Sequence, residues 1–486
     1  MSYHNEKLSQ YKEFLKGKSA SVIGVGISNV PLIEFLLKND VAVTARDMKD
    51  FSELCSINPK VEQLKEAGVN FVLGENYLSD IKEDIVYKSP GIRYDKEEIM
   101  AAVSNGSIIT SEMEAFLSLC PSKIIAITGS DGKTTTTTLI AKILEAAGKK
   151  VWLGGNIGRP LLSEIENITP DDFTVLELSS FQLHTVNRFE NNSLPFAKLE
   201  FPDVAVVTNV SPNHLNWHTD MDEYVEAKKT VYTYIKDGGV LVTNIGNDIT
   251  SNFGNEAKLG GIKTRMFSAK NNSGNIHISG DTIYYGLKPV IDVSDILLPG
   301  KHNIENYMAA IGATYDFVTP EDVKKVATTF GGVEHRLEYV KTVKGVKYYN
   351  GSIDSSPART MAALSAFGSE YKGKIILLLG GKDKNLDFSE LASVICSKKV
   401  KAVFISHDTE EKKVYNTITA DENFDEENLH VEICDGFDEN FRKASEYAED
   451  GDIVLLSPAM TSFDEFLNFE MRGKRFKTLV NQLEEE

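Results

Sequence analysis

The segment of the chain with the clearest chemical potential is a short run of glycine, hydroxyl and lysine residues, Thr128-Gly129-Ser130-Asp131-Gly132-Lys133-Thr134-Thr135. Glycines let backbone amides approach a phosphate closely, and the N-terminus of a helix favours its negative charge. Lys133 would contact the terminal phosphates of a nucleotide, and the Thr134 hydroxyl would ligate Mg²⁺. Only two residues separate Gly129 from Gly132, so the loop is shorter than a Walker A loop. We predict that Gly129 to Thr135 bind ATP; the alternative is a glycine turn that only begins a helix.

Three further polar residues follow predicted strands downstream of this loop. Glu177 lies at the end of one strand, His214 follows the next, and Lys228 lies on the helix after that. Any one of them alone would be interpreted as a structural or solvated residue. Because the carboxyl ends of strands in one open α/β sheet meet at the same edge, they can face one site together with Lys133 and Thr134. The order of these residues therefore predicts an ATP and metal site.

The elements that must position these residues form an α/β pattern, because apolar runs of strand length alternate with helix-period segments from end to end. The predicted strands are Ala20–Gly24, Val41–Ala45, Ile124–Ile127, Phe173–Leu178, Val204–Val207, Ile375–Leu379, Ala402–Ile405 and Ile453–Leu456. We predict three domains: a Rossmann-like domain over residues 1–109, a central mononucleotide-binding domain of the P-loop ATPase type over 110–333, and a Rossmann-like α/β domain over 334–486.

The turn after the first strand, residues 24–29, has the form of a dinucleotide-binding loop but lacks its third glycine, with Asn29 in that place. This departure weakens the prediction of an NAD-dependent oxidoreductase that would use the turn together with Asp47. A non-catalytic nucleotide-binding module is the other alternative outside the ligases. The presence of Lys133, Glu177, His214 and Lys228 together counts against it.

Composition excludes several classes of protein. The chain has 486 residues and a net charge of −19, which disfavours sequence-independent binding of nucleic acid. The beginning of the chain has no apolar segment typical of a signal peptide, and no apolar run is long enough to cross a bilayer. Four scattered cysteines suit a reducing compartment. We therefore expect a cytoplasmic protein, a monomer that acts on small molecules, with no nucleic-acid partner and no membrane insertion.

The motifs of the chain, taken in order, resemble those of the Mur ligases. The matching segments are the loop 128–135, Gly154–Gly158, Leu176–Gln182, Thr208–His214, Leu298–Asn303 with Asn306, Gly332–Glu338, Leu379–Gly381 with Lys384, and Ser457–Asp464. They span nearly the whole chain. The segments at 179–182, 332–338 and 462–469 look most like the member that adds D-glutamate.

The resemblance implies an ATP-dependent ligase that joins D-glutamate to UDP-N-acetylmuramoyl-L-alanine through an acyl phosphate. It implies ATP and two Mg²⁺ ions as cofactors, with a carbamylated Lys228. The implied metal ligands are Thr134, Glu177, His214 and Lys228, and the implied catalytic residues are Lys133, Glu177, His214 and Lys228. The further nucleotide contacts are Asn303, Asn306 and Arg336. The contacts to the UDP-sugar are Gly26, Ile27, Ser28, Asp47 and Asn156, and those to D-glutamate are Lys384, Ser462, Phe463 and Phe469.

The chain departs from the family pattern at several positions. Asp131 precedes Gly-Lys where an asparagine is frequent, and Arg93 follows Ser-Pro-Gly-Ile where a proline is common. An acidic residue and a lysine of the third domain are replaced by Gly351 and Ile353, and we expect Asp354 and Arg359 to supply the missing charges. Another amino-acid-adding ligase of the family, or a folylpolyglutamate synthase, is the nearest alternative function. A folylpolyglutamate synthase lacks the separate domain ahead of the phosphate loop.

Overall fold

The structure is a computed structural model of the chain, and it describes residues 3–26, 28–186, 188, 199–270, 273–368, 371–372, 374–384, 386–397, 400–408 and 412–483. Ile27, one of the predicted substrate contacts, lies outside the described residues. The chain divides into two compact units, Met1–Val293 with Glu305–Val326, and Ser294–Ile304 with Ala327–Glu486. None of the described helices combines the length and the apolar character needed to cross a membrane.

The first sheet of the first unit contains five parallel strands. They are Ser19–Ile23 (β1), Ala42–Asp47 (β2), Asn70–Leu73 (β3), Ile85–Lys88 (β4) and Ile108–Thr110 (β5). The helices that accompany them are Glu6–Leu15 (α1), Asn29–Lys38 (α2), Phe51–Ile57 (α3), Lys60–Glu66 (α4), Glu97–Ser104 (α5) and Glu112–Leu119 (α6). The strand order β3-β2-β1-β4-β5 reverses between β1 and β4, which is where open α/β sheets bind ligands.

The second sheet of this unit has nine strands. They are Lys123–Thr128 (β6), Val151–Gly155 (β7), Phe173–Glu177 (β8), Val204–Val207 (β9), Val240–Asn244 (β10), Lys263–Ser268 (β11), Ile276–Ser279 (β12), Thr282–Tyr285 (β13) and Lys288–Asp292 (β14). The helices of this region are Lys133–Ala146 (α7), Ser180–Leu183 (α8), Met221–Thr233 (α9), Asp248–Leu259 (α10), Lys301–Thr314 (α11) and Pro320–Ala327 (α12). In the order β14-β13-β12-β11-β10-β9-β6-β8-β7, β6 lies between β8 and β9, so the segments that follow these three strands share one edge.

The second unit contains a six-stranded sheet. Its strands are Glu338–Val343 (β15), Val346–Asn350 (β16), Ile375–Gly380 (β17), Ala402–Ser406 (β18), His430–Cys434 (β19) and Ile453–Ala459 (β20). Its helices are Pro357–Ser365 (α13), Ser389–Ser397 (α14), Lys413–Thr419 (α15), Phe437–Tyr447 (α16) and Phe469–Gln482 (α17). The order is β15-β16-β20-β17-β18-β19, and only the pair β15–β16 is antiparallel.

The α/β class and the three-part organisation predicted from the sequence are confirmed. All eight predicted strands are present, with ends that differ by at most three residues. The central strands of each sheet are buried on both faces, as parallel sheets covered by helices require, and this is why they appear in the sequence as continuous apolar runs. The domain boundaries at residues 109 and 333 stay predictions.

Candidate active site

The loop between β6 and α7 is shaped by two glycines with positive φ, +151° at Gly129 and +75° at Gly132. A Cβ atom at Gly129 would overlap the hydroxyl of Thr208, and one at Gly132 would overlap the side-chain oxygen of Asn306. Any larger residue would therefore be strained at both positions. Asn306, a predicted nucleotide contact, thus lies directly beside the loop, where its Oδ1 also accepts a hydrogen bond from Thr136 at 3.2 Å.

Two lysine side chains converge on one carbonyl of this loop. Lys133 Nζ donates to the carbonyl oxygens of Gly129 and Ser130 at 2.9 Å each, and Lys228 Nζ donates to that of Gly129 at 2.7 Å. Lys228 is only 1% exposed. Burial, reinforced by the charge of Lys133, lowers the pKa of Lys228 to about 7. Lys133 and the protonated fraction of Lys228 thus place positive charge at a glycine loop before a helix N-terminus, where an anion would be bound favourably.

Glu177 ends β8 opposite Ile127 of β6, beside the strand that leads into the loop. Its Oε1 accepts a hydrogen bond from Asn156 Nδ2 at 2.8 Å. Its Oε2 is buried and accepts no hydrogen bond from the described residues. A buried carboxylate oxygen without a donor favours a cation, and carboxylate and hydroxyl oxygens are the ligands that Mg²⁺ prefers. The residues present therefore fit Mg²⁺, with Thr134 half-buried in the first turn of α7.

His214 lies on a turn after β9 and has a positive φ of +55°. Its carbonyl accepts hydrogen bonds from the amides of Trp217 and His218, both at 3.0 Å, which fixes the turn. Burial lowers the pKa of His214, and the charges of Lys133 and Lys228 lower it further. A neutral imidazole is the form that ligates metals. The structure thus brings the predicted catalytic residues Lys133, Glu177, His214 and Lys228 to one edge of the second sheet.

The remaining loop residues are held mainly by neighbouring strand ends. Ser130 Oγ lies 2.8 Å from the Tyr224 hydroxyl, and the Asp131 amide donates to Asn209 Oδ1 at 2.9 Å. The Asp131 side chain is exposed, and Thr135 is half-buried at the start of α7. These contacts fix the shape of the loop.

Two other predicted nucleotide contacts belong to the second unit. Asn303 is buried and donates to the Pro299 carbonyl at 2.7 Å. Arg336 is exposed in a short turn in which its amide donates to the Val333 carbonyl at 2.9 Å. Their roles toward a nucleotide stay predictions.

Most of the predicted UDP-sugar contacts lie at the carboxyl ends of β1 and β2. Gly26 and Ser28 are exposed on the turn after β1. Asp47 is buried, and its carboxylate accepts hydrogen bonds from the amides of Val25 at 2.7 Å and Lys49 at 3.0 Å. The Asp47 side chain therefore orders the turn. Asn156 follows β7 of the second sheet instead, where its side chain donates to Glu177.

The residues predicted to bind D-glutamate lie in the second unit, near the carboxyl ends of β17 and β20. The segments after β17 and β20 are joined by a hydrogen bond from the Lys382 amide to the Thr461 carbonyl at 2.8 Å. Lys384 is exposed, with its Nζ 5.9 Å from the centre of the Phe463 ring, whereas Ser462 is buried. The spacing of seven residues between Ser462 and Phe469 predicts two turns of one helix. That prediction is wrong, because α17 begins only at Phe469.

Arg359 and Asp354 were expected to replace the charges missing at Ile353 and Gly351, and the structure places them in different environments. Arg359 Nη1 donates to the carbonyl of Ile353 at 2.9 Å, so its guanidinium lies beside the position that lacks the family's lysine. Asp354 is buried and accepts a hydrogen bond from Ser457 Oγ at 2.9 Å. Burial raises the pKa of Asp354 to about 7. Asp354 is therefore a poor substitute for an exposed acidic contact, while the guanidinium of Arg359 is exposed.

Sequence reasoning missed two arginine networks, a buried one around Arg472 and a partly buried one around Arg93. Arg472 is 2% exposed and donates to the carbonyls of Ser352 at 3.0 Å and Met460 at 3.1 Å, which connects the loops after β16 and β20. Arg93 forms a bidentate ion pair with Glu223 in the first unit. Arg93 stood out in the sequence only as a replacement for proline, and no signal there indicated its partner.

Comparison with known proteins assigns the whole chain to one family. Residues 18–111 match the Mur ligase MurD-like N-terminal domain, residues 127–314 the Mur ligase middle domain, and residues 335–460 the Mur ligase glutamate ligase domain. The UDP-N-acetylmuramoylalanine–D-glutamate ligase of Ruminiclostridium cellulolyticum is 44% identical over 99% of this chain and 100% of its own length. The enzyme of the same name from Clostridium perfringens is 45% identical over 98% of this chain and 99% of its own length.

Solved structures of more distant proteins share the fold. The UDP-N-acetylmuramate–alanine ligase of Thermotoga maritima has a TM-score of 0.55 at 16% identity, covering 96% of this chain and 99% of that one. A UDP-N-acetylmuramoyl-L-alanyl-D-glutamate–2,6-diaminopimelate ligase has a TM-score of 0.56 at 15% identity, covering 91% and 93%. On the strength of its full-length relatives, the chain belongs to the Mur ligase family.

Proposed function

We propose that this chain joins D-glutamate to UDP-N-acetylmuramoyl-L-alanine and converts ATP to ADP and phosphate, in the synthesis of peptidoglycan precursors. The observation that carries the proposal is the convergence of Lys133, Glu177, His214 and Lys228 at the edge of the second sheet. Full-length relatives of that name at 44% and 45% identity support the choice of D-glutamate over other amino acids. We also propose a cytoplasmic location, where ATP and nucleotide-linked sugars are available, and a monomeric enzyme.

The reaction needs an activated carboxylate, since a free carboxylate resists attack by an amine at neutral pH. The carboxylate of the UDP-sugar peptide attacks the γ-phosphorus of ATP, which gives an acyl phosphate and ADP. The free amine of D-glutamate then attacks the acyl carbon, and phosphate leaves. Lys133 stabilises the charge of the transferring phosphoryl group, and the glycine loop orients the nucleotide through its amides.

Two Mg²⁺ ions are part of the proposal, and they would neutralise phosphate charge when bound. Thr134 and Glu177 would hold one ion, and the strongest support is the Glu177 oxygen that has no donor among the described residues. His214 and a carbamylated Lys228 would hold the other. With its pKa near 7, Lys228 has a large neutral fraction, and its nitrogen can form a bond to the carbon of CO₂ and lose a proton.

Phosphate release in the presence of ATP, Mg²⁺ and UDP-N-acetylmuramoyl-L-alanine tests the proposal. The panel of acceptors is D-glutamate, L-glutamate, L-lysine, D-lysine and meso-diaminopimelate. We expect turnover with D-glutamate well above that with every other amino acid, and formation of the coupled product by mass spectrometry. Preference for another acceptor would show that the chain is a different amino-acid-adding ligase, and absence of ATP-dependent turnover with all acceptors would overturn the ligase assignment.

A further inference from the structure

Arg93 connects two loops of the first unit that are distant in sequence. Its Nη2 donates to Glu223 Oε1 at 3.0 Å, and its Nη1 donates to Glu223 Oε2 at 3.1 Å. The same Nη1 donates to the carbonyl of Trp217 at 2.9 Å, and Trp217 Nε1 donates back to the Gly91 carbonyl at 3.0 Å. The side chains of Arg93 and Glu223 are only 21% and 17% exposed, so solvent screens their ion pair weakly.

Each end of this connection leads to a predicted site. Arg93 follows β4, whose continuation at Ser89 is bonded to the end of β1, at the edge where the UDP-sugar is expected. Trp217 helps to form the turn of His214, because its amide donates to the His214 carbonyl at 3.0 Å. Glu223 lies in the first turn of α9, the helix that carries Lys228.

A metal ion is the other species that could occupy this place. His184, His218 and Glu223 offer ligand atoms that all lie within 4.8 Å of one another. Both oxygens of Glu223, however, already accept hydrogen bonds: from Arg93, from the Thr219 amide at 2.8 Å, and from His184 Nε2 at 3.1 Å. The guanidinium thus supplies the positive charge that a cation would bring, and the cluster is a hydrogen-bond network centred on Glu223.

We propose that Arg93 is a positioning residue that fixes the turn bearing His214 and the start of the Lys228 helix against the substrate-binding sheet. The inference rests on the proposed function, because it concerns the residues assigned there to Mg²⁺. The side chain of Arg93 bonds to Glu223 and Trp217, and these in turn hold the His214 turn and the start of α9. Its loss therefore acts through the geometry of His214 and Lys228 and leaves the D-glutamate residues of the second unit untouched.

The test measures metal binding without turnover. Mn²⁺ is titrated by electron paramagnetic resonance into the full chain with a non-hydrolysable ATP analogue, for the wild type, Arg93→Ala, Arg93→Lys and Glu223→Gln. We expect Arg93→Ala to weaken nucleotide-dependent Mn²⁺ binding, and to raise the Mg²⁺ concentration for half-maximal activity, by about tenfold, as loss of a charge-assisted contact predicts. Arg93→Lys restores part of the affinity. The KM for D-glutamate changes less than about twofold, since none of the affected bonds involves a residue assigned to D-glutamate.

Asp95→Asn is the matched control. Asp95 accepts hydrogen bonds from Arg93 at 2.9 and 2.8 Å on its exposed side, so the control perturbs Arg93 without breaking its contact with Glu223. It should bind Mn²⁺ like the wild type. The double variant Arg93→Ala with Glu223→Gln should bind no more weakly than the weaker single variant, because both break the same contact.

The outcomes separate the inference from the function on which it rests. If Arg93→Ala lowers the melting temperature but leaves Mn²⁺ binding and the Mg²⁺ requirement unchanged, Arg93 has only a structural role and the inference is wrong. If Arg93→Ala does not fold, Arg93→Lys and Glu223→Gln decide between the same two outcomes. A wild type that binds nucleotide and Mn²⁺ but prefers another amino acid overturns only the D-glutamate assignment.

Discussion

The buried lysine Lys228 makes the free energy of unfolding depend on pH. Burial lowers its pKa from 10.5 to about 7. Between these values the unfolded chain binds a proton that the folded chain has released, so the free energy of unfolding rises with pH in this window. The free-energy cost of burying the charged amine is largest below pH 7 and disappears as the pH approaches 10.5. At 1.36 kcal/mol per pKa unit, raising the pH from 7 to 9 should stabilise the protein by roughly 2 kcal/mol through this group alone.

The substitution Lys228→Met removes this contribution and keeps the length of the side chain. Urea denaturation at pH 7 and pH 9, in CO₂-free and metal-free buffer, should show a pH-dependent gain that is smaller in the variant by roughly 2 kcal/mol. The Gly129 carbonyl still accepts a hydrogen bond from Lys133, so the substitution leaves this buried acceptor with a donor. Equal pH dependence in both proteins, within about 0.5 kcal/mol, would refute the reasoning.

Lys88→Met is the matched control. Lys88 is 2% exposed at the end of β4, and burial lowers its pKa to about 7 as well. Its loss should reduce the pH dependence by a similar amount. Added bicarbonate should stabilise the wild type and Lys88→Met at pH 8, because CO₂ would react with the neutral amine proposed at Lys228, and this effect should be lost in Lys228→Met. A bicarbonate effect in Lys228→Met as large as that in the wild type would exclude Lys228 as the site of carbamylation.

Three further substitutions test individual sites by phosphate release. Lys133→Ala should lower turnover on the order of 10² or more with an unchanged melting temperature, and unchanged turnover would contradict the phosphate-loop assignment. Lys384→Ala should raise the KM for D-glutamate about tenfold without changing that for ATP; an equal rise in both would show that the pocket is misplaced. Arg359→Ala should raise the KM for D-glutamate several-fold, with Arg359→Lys closer to the wild type, and no effect would mean that Arg359 does not replace the lysine missing at Ile353.

The parts of the fold that depend on local pattern were predictable from the sequence. Strands such as Ile375–Gly380 are buried on both faces, so they stand out as apolar runs between polar or glycine residues. The glycine turn between β6 and α7 was predictable because Gly129 and Gly132 have positive φ, a local backbone requirement that glycine meets without strain. The start of α17 could also have been located, since Asn468 caps the helix by accepting a hydrogen bond from the Met471 amide at 2.8 Å.

The contacts between distant segments were not predictable in this way. Arg93 and Glu223 are separated by 130 residues, and no periodicity or motif relates them. The role of Asp47 shows the same limit. Asp47 ends β2, where its position predicts a ligand contact, and the fold also gives its carboxylate a hydrogen bond from the Val25 amide in the turn after β1. A single sequence reports the chemistry of each side chain, while its partner is decided by the tertiary fold.

The two lysines of the candidate site lie close together and compete for one acceptor. Lys133 and Lys228 share the carbonyl of Gly129 as an acceptor, and the charge of Lys133 disfavours that of Lys228. Glu177 nearby has a buried oxygen without a donor among the described residues. A phosphate would take Lys133 as its partner, a cation would pair with Glu177, and conversion of Lys228 to a carbamate would replace a repelled cation by an anion. Each of these changes would give a partner to a charge that these contacts leave unbalanced, so binding of nucleotide, metal and CO₂ should be mutually cooperative.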